Sequence, residues 1–165
     1  MASAHQEILT ATLFVQFQIG ADCYALEARQ VMRILPLLEI KHIPGAPRGV
    51  AGVLNYRGSP VPAIDLSELA LGRPAPRCLS TRVIVVNLLD GSGHERPLGL
   101  IAEKVTDTLR RERSDFVPAG VTSEAAPYVG AVAAVGGRLL QLVDVRQLLP
   151  PRVRDALYRE LEVGA

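Results

Sequence analysis

An internal repeat constrains the fold of this chain more than any other feature. The segment 51–66 overlays the segment 130–145 at an offset of 79 positions. The matched pairs are Val53 with Val132, Gly58 with Gly137, Asp65 with Asp144 and, just beyond, Leu69 with Leu148. At an offset of 74 the repeat extends backward through Leu26 with Leu100, Ala28 with Ala102, Val31 with Val105 and Leu35 with Leu109. Because both matches keep the same order, the sequence predicts a duplicated small β-barrel.

Within each copy the pattern reads as strand, turn, strand, connection, strand pair and short capped helix. Bulky apolar residues fill 12–19 and 82–89, as expected for strands buried on at least one face. Val31 and Ile34 then follow at helical spacing, which predicts a short turn of helix or an irregular connection that ends at Pro36. A C-terminal helix is predicted from Pro151, with Val153 and Leu157 on one face.

The strand pair of the first copy carries two further signals. Pro60 and Pro62 are two residues apart, so the N–H groups that they lack would point to the same side of the strand. That side cannot carry a regular ladder, so this strand is predicted at a sheet edge or a barrel rim. Asp65 precedes a capping-box-like pattern that ends in Glu68, and Asp144 takes the same place in the second copy. Both aspartates are therefore predicted as helix caps and not as a catalytic carboxylate pair.

Composition narrows the class of protein. Hydrophobic residues make up 48% of the chain and aromatic residues only 4%, with no apolar run near the roughly 20 residues that a membrane-spanning helix needs. The first six residues lack the features of a signal peptide, so a cytoplasmic location without membrane insertion is the default expectation. The net charge of +1 argues against nucleic acid as the main ligand. A small β-barrel that binds single-stranded nucleic acid stays a remote alternative.

Residues that support catalysis are scarce. His5, His42 and His94 lie in the N-terminal tail or in predicted loops, without a partner at metal-ligand spacing. Cys23 and Cys78 follow no metal or redox spacing, and Cys23 falls within a predicted strand, where it is expected to pack as a small apolar residue. No enzyme activity and no cofactor are therefore predicted.

One turn is distinctive. Asn55, Arg57 and Gly58 lie between the paired strands of the first copy, whereas the second copy has alanine and glycine in place of Asn55 and Arg57. Gly58 permits the left-handed backbone of a tight hairpin. If the two copies share a backbone, the fold does not require an arginine at this turn. Arg57 is then either a solvated turn residue or a group that donates paired hydrogen bonds to a partner's carboxylate or carbonyl oxygens, and we favour partner binding.

These residues resemble the CheW family of bacterial chemotaxis coupling proteins, over nearly the whole chain from Leu13 to about Leu149. The motifs that carry the resemblance are Tyr24-x-Leu26 before Val31 and Ile34, Pro47 before Gly52-Val53, Asn55-x-Arg57-Gly58-x-x-x-Pro62-x-x-Asp65-Leu66, Gly99-Leu-Ile before Val105 and Leu109, and Leu142-Val-Asp144 before Leu148-Leu149. The resemblance implies a mainly β fold of two intertwined five-stranded SH3-like barrels with short helices. It divides the chain into an N-terminal tail (1–11), a CheW-like domain (12–150) and a C-terminal helix with its tail (151–165).

The resemblance also implies partners. Such a protein is a non-catalytic adaptor in the cytoplasm, recruited to receptor arrays, that bridges the tip of methyl-accepting receptors to the regulatory domain of a CheA-type histidine kinase. Arg57 matches the family's receptor-coupling arginine and Val31 a position of the same binding surface, which also includes Asn55 and Gly58. Arg33 stands where the family often has an acidic residue. This inverted charge, together with the segments 35–38 and 69–74, indicates a non-flagellar, surface-sensing (Wsp-type) or twitching system as an alternative.

Overall fold

The chain folds into nine β-strands, two α-helices and three short 3-10 turns in a computed structural model that describes residues 11–121 and 123–163. The strands are β1 (Thr12–Ile19), β2 (Asp22–Glu27), β3 (Val31–Pro36), β4 (Val50–Tyr56), β5 (Ser59–Asp65), β6 (Arg82–Leu89), β7 (Glu95–Arg111), β8 (Val129–Val135) and β9 (Arg138–Val143). The helices are α1 (Leu66–Leu71) and α2 (Pro151–Val163), and the 3-10 turns cover Ala28–Gln30, Arg113–Asp115 and Val145–Gln147. Within the described residues, no helix is long and apolar enough to cross a membrane.

The long strand β7 takes part in two five-stranded barrels. Its first half, 95–102, pairs with β6, and its second half, 103–111, pairs with β1. Where the halves meet, Lys104 has a φ of 47° and the register against β1 shifts, which is the geometry of a β-bulge. The strand order β4-β5-β7-β6-β3 forms barrel 1, and the order β8-β9-β2-β1-β7 forms barrel 2.

Each barrel combines strands from both sequence repeats. Barrel 1 takes β3, β4 and β5 from the first copy and β6 with the first half of β7 from the second. Barrel 2 takes β1 and β2 from the first copy and the second half of β7, β8 and β9 from the second. The two end strands of each barrel do not form a ladder with each other. Instead, one isolated bridge joins one end strand to the segment that follows the other, Val53 of β4 with Lys41 in barrel 1 and Val132 of β8 with Val117 in barrel 2, so the barrels are open. The predicted fold class, mainly β with two intertwined five-stranded barrels, is confirmed.

The duplication holds at the level of backbone register. Ala63 pairs with Gly99 in the parallel ladder between β5 and β7, and its counterpart Leu142 pairs with Ala25, the counterpart of Gly99, in the ladder between β9 and β2. The hairpins also match, since the pair Val53–Pro62 corresponds to the pair Val132–Gln141. The two halves of the sequence therefore adopt the same backbone twice.

Apolar side chains form three cores because alternate residues of each strand face opposite sides of the sheet. A central core between the barrels contains Phe17, Leu26, Ile64, Ile84 and Leu100, among others. The core of barrel 1 contains Leu54, Val61, Ala63, Ala75, Val83, Val85 and Ile101, and the core of barrel 2 contains Phe14, Cys23, Ala25 and Leu140. Cys23 is thus a buried apolar residue, as predicted.

The prediction of a short turn of helix or an irregular connection around Val31 and Ile34 is wrong. Both residues lie on strand β3, and the 3-10 turn Ala28–Gln30 ends just before it. A register shift between Val31 and Arg33 inserts a bulge into β3 against β6. Because of this extra residue, Val31 and Ile34 both pack against the central core, three positions apart. The bulge therefore imitates the spacing of a helix.

The predicted caps are where the sequence places them, and the proline-rich strand has a free edge only in its first part. Asp65 Oδ1 accepts hydrogen bonds from the N–H groups of Ser67 (3.0 Å) and Glu68 (3.1 Å) at the start of α1. Asp144 caps only a 3-10 turn, through the N–H group of Arg146 (3.1 Å). Strand β5 is not an edge strand throughout, because it pairs with β4 over 59–64 and with β7 over 63–65. Pro60 and Pro62 precede the ladder with β7, so they lie where this side of the strand is unpaired.

Candidate partner-binding site

The hairpin between β4 and β5 presents Arg57 at its tip. Tyr56 and Ser59 form the last pair of the ladder, which leaves a two-residue loop of Arg57 and Gly58. Their φ angles are 53° and 83°, and positive φ at both central residues is the mark of a type I′ turn. This turn continues the right-handed twist of the strands, so it holds the tip in a defined direction.

Side chains within the hairpin fix this turn further. Asn55 Oδ1 accepts a hydrogen bond from the Gly58 N–H group at 2.8 Å, which stabilises the loop from inside. The guanidinium carbon of Arg57 lies 5.3 Å from the centroid of the Tyr56 ring, a cation–π contact. Asn55, Arg57 and Gly58 are all exposed. The turn therefore presents a positioned guanidinium to solvent.

The second copy repeats the turn with less backbone strain. Gly136 and Gly137 have φ angles of 57° and 77° at the tip of the hairpin between β8 and β9. A left-handed backbone costs a residue with a side chain roughly 1–2 kcal/mol relative to glycine. Arg57 carries this cost in barrel 1, whereas Gly136 avoids it in barrel 2. The fold thus disfavours an arginine at a position where its own second copy has glycine.

Val31 and Arg33 lie on strand β3, which together with β4 is one of the two end strands of barrel 1. Half-buried Val31 packs against the central core. Exposed Arg33 is paired with Val85, a residue of the barrel 1 core, and side chains directly opposite each other share a face. The five predicted residues therefore form two groups: one turn, and one strand whose two residues face opposite sides.

A groove that the sequence did not reveal runs between the barrels. Ile34 of β3 and Val105 of β7 line it with Val15, and Arg82 and Asp107 supply the charged groups of its lining. The groove forms because β3 and the second half of β7, which are counterparts in the repeat, come near each other where the barrels meet. The match of Val31 with Val105 identified β3 and the second half of β7 as counterparts, but the sequence did not show that these two strands come near each other.

The titratable groups of the described residues do not assemble into a catalytic centre. Hydrogen bonds from the Ser80 and Thr81 hydroxyls lower the pKa of the Cys78 thiol to about 7, but this thiol lies in an exposed loop. The Arg96 guanidinium lowers the pKa of Asp90 to about 2. In the part of the chain that the structure describes, no group of three or more metal-ligating side chains occurs. His5 lies outside the described residues.

Comparisons with known proteins agree with the fold and the motifs. The model of a family described as CheW-like domain matches residues 13–152. A "Chemotaxis protein CheW" of Klebsiella aerogenes is 30% identical over 138 residues, which are 82% of this chain and 80% of that protein. One of Rhizobium meliloti is 28% identical over 144 residues, 86% of this chain and 90% of that protein. The solved structure of the scaffolding protein TtCheW from Thermoanaerobacter tengcongensis superposes with a TM-score of 0.77 at 21% identity, covering 89% of this chain and 93% of that one.

Proposed function

We propose that this chain, which belongs to the CheW-like domain family, is a non-catalytic adaptor that couples methyl-accepting chemoreceptors to a CheA-type histidine kinase. Membership of the family supports a role as a chemotaxis coupling or scaffold protein. The observation that carries the finer proposal is Arg57, an exposed arginine at a turn whose backbone favours glycine. Strained positions of this kind persist where function selects for the side chain.

The turn fits recognition of a receptor. A guanidinium presents several donors in a fixed fork, which can bind carboxylate or carbonyl oxygens on a partner helix. Asn55 and the Tyr56 ring hold the turn and its arginine in place, so little conformational freedom remains to be lost on binding. Arg57 therefore supplies specificity at the tip of barrel 1.

The groove between the barrels fits a second, more apolar contact with the receptor. Its lining combines Val15, Ile34 and Val105 with the charged residues Arg82 and Asp107. An amphipathic helix that lays its apolar face into such a groove gains affinity from burial and orientation from the charged groups beside it. The helical cytoplasmic tip of a receptor is the partner that we propose for the groove.

The mechanism is positional. An adaptor that binds one arrangement of receptor and kinase better than another biases the kinase by that difference in free energy, typically 1–3 kcal/mol. No bond is made or broken by the adaptor itself. We place it in the cytoplasm, at receptor arrays that it joins through protein contacts.

The first test replaces Arg57 by alanine. We expect the variant to fold normally and to bind receptor tip fragments at least about tenfold more weakly, since a buried interfacial arginine often contributes 2 kcal/mol or more. Pull-down and titration with tip fragments measure this. Arg138→Ala, beside the matching turn of barrel 2, is the control and should bind like the wild type. Unchanged binding by a well-folded Arg57→Ala variant would remove the receptor assignment.

The second test addresses the choice of pathway. Exposed Arg33 on β3 favours a receptor or kinase whose facing surface is acidic, as in a dedicated surface-sensing or twitching system. Arg33→Glu should then lose partners captured by the wild type and gain others. Affinity purification followed by mass spectrometry compares the two sets. If the same receptors and kinase are recovered in the same amounts, Arg33 does not determine partner choice.

A further inference from the structure

Helix α2 and the proline-rich loop 43–47 enclose a groove, which we call the α2 groove. Its lining consists of the loop residues 43–47 and of Arg152, Val153, Ala156, Leu157 and Glu160 of the helix. Arg152 and Glu160 are the only charged residues of this lining. The next cation after the loop, Arg48, does not line the groove and lies beside Gly72 at the end of α1. The α2 groove is therefore apolar between one cation and one carboxylate.

One stripe of α2 forms the helical wall of this groove. Arg152, Ala156 and Glu160 are four residues apart, so they lie on the same side of the helix in successive turns. All three are exposed, whereas Leu157 beside them is buried in the central core and Val153 packs against that core. The stripe thus has a cation at one end, a carboxylate about 12 Å away along the helix axis, and a small apolar residue midway.

The two charged groups of the stripe are unpaired within the described part of the chain. Neither Arg152 nor Glu160 forms an ion pair or a side-chain hydrogen bond with another described residue. The other charged residues of α2 have partners within the chain, which are Arg96 for Glu162 and Asp155 for both Arg154 and Arg159. The stripe therefore keeps one donor group and one acceptor group available for a molecule that enters the groove.

The placement of these two charges opposes the dipole of their own helix. A helix has partial positive charge at its N-terminus and partial negative charge at its C-terminus. Arg152 lies in the first turn of α2, which has no acidic residue, and Glu160 lies in the last turn, which has no basic residue. Each charge is therefore at the end of α2 that disfavours it. A neighbouring helix that runs in the opposite direction would present the favourable end of its dipole to each of them.

We propose that the α2 groove binds the α2 helix of a second copy of this chain, antiparallel to the first and around a twofold axis at Ala156. In this dimer Arg152 of each copy faces Glu160 of the other, at both ends of the contact. Ala156 lies opposite Ala156, where its small side chain lets the two helix axes approach closely. A parallel pair is excluded, because it would place Arg152 opposite Arg152 and Glu160 opposite Glu160.

The charges select a second copy as the occupant because the stripe is its own complement. Reversed by the twofold axis, arginine, alanine and glutamate at four-residue spacing meet glutamate, alanine and arginine. One helix and one loop per copy form a small interface, so we expect a weak dimer with a Kd on the order of 100 µM. The association needs neither a receptor nor a kinase, so it can be tested on the isolated chain.

The test is analytical ultracentrifugation of the full chain from about 5 µM to about 500 µM, a range that spans the expected Kd. The wild type should pass from monomer to dimer. R152E and E160R each place like charges opposite one another, so each should dimerise at least about tenfold more weakly. Mixed in equal amounts, these two variants restore both opposite-charge pairs and should associate like the wild type. A wild type that stays monomeric, or a mixture that associates no better than either variant alone, would overturn the proposal.

Two further variants separate this contact from loss of the helix and from a general effect of charge. R152E and E160R both place the new charge at the end of α2 that favours it, so the helix should persist in each, as circular dichroism measures. The double variant R152E/E160R exchanges the two charges and should dimerise like the wild type. R138E, at the tip of the β8–β9 hairpin, changes the net charge as R152E does and should retain wild-type association. If R138E weakens the dimer as much as R152E, the effect is general and the contact is refuted.

Discussion

At the scale of single residues, Arg57 shows a conflict between local backbone preference and side-chain identity. The sequence identified this turn, because Gly58 permits a tight hairpin and the second copy lacks the arginine. It did not show that Arg57 itself has positive φ, since one glycine is compatible with several turn types. Only the structure shows a two-residue loop, closed by the ladder pair Tyr56–Ser59, in which both central residues are left-handed.

This conflict predicts the effect of removing the arginine on stability. Arg57→Gly should relieve roughly 1 kcal/mol of backbone strain and lose about 0.5 kcal/mol from the exposed contact with the Tyr56 ring. We expect the free energy of unfolding to rise by about 0.5 kcal/mol while receptor binding falls. Urea denaturation measures the first quantity. Gly136→Arg is the reverse change in barrel 2 and should lower stability by about 1 kcal/mol; a stable Gly136→Arg variant would show that the turn carries no strain.

At the scale of secondary-structure elements, the sequence predicts an element correctly where the residues of that element alone determine its structure. The hairpins and the cap of α1 were predicted, because alternation, turn residues and capping patterns are local signals. Strand β3 was missed because a bulge against β6 restores its apolar residues to one face at helical spacing. Whether such a segment is a helix or a bulged strand depends on the strand with which it pairs, and the segment's own sequence does not identify that strand.

The two capping aspartates allow an element-scale prediction. Buried Asp65 accepts from three backbone N–H groups, those of Ser67, Glu68 and Ala75, whereas partly exposed Asp144 accepts from one, that of Arg146. Asp65→Ala leaves these donors without their acceptor at a buried site, and we expect a loss of about 3 kcal/mol of unfolding free energy.

The matched change Asp144→Ala should cost only about 0.5–1 kcal/mol, because water replaces the lost acceptor. Chemical denaturation of both variants, with slopes compared to the wild type, measures the difference. Equal losses for the two variants would mean that burial of Asp65 and its hydrogen bond from Ala75 add nothing beyond an ordinary N-cap.

At the scale of the whole molecule, the repeat predicted the duplicated barrel, and the family resemblance predicted that the two barrels are intertwined. Neither showed how the strands are shared. Both halves of β7 were matched to separate elements of the first copy, and the structure joins them through a bulge at Lys104 into one strand that serves both barrels. The groove between the barrels follows from this arrangement, which arises from long-range pairing. The predicted site residues accordingly lie on two elements, strand β3 and the turn between β4 and β5.

Shared strands also predict how the molecule folds. Barrel 1 needs β6 and β7 from the second copy, and barrel 2 needs β1 and β2 from the first, so neither half of the sequence contains a complete barrel. We expect the fragments 1–80 and 81–165 to be unfolded when separate, because their central-core residues have no opposite face to pack against. Mixed in equal amounts, they should regain the dispersed NMR spectrum of the intact chain and unfold in one cooperative transition. A dispersed spectrum from either fragment alone would show that a barrel can form within one copy, and that the exchange of strands is not required for stability.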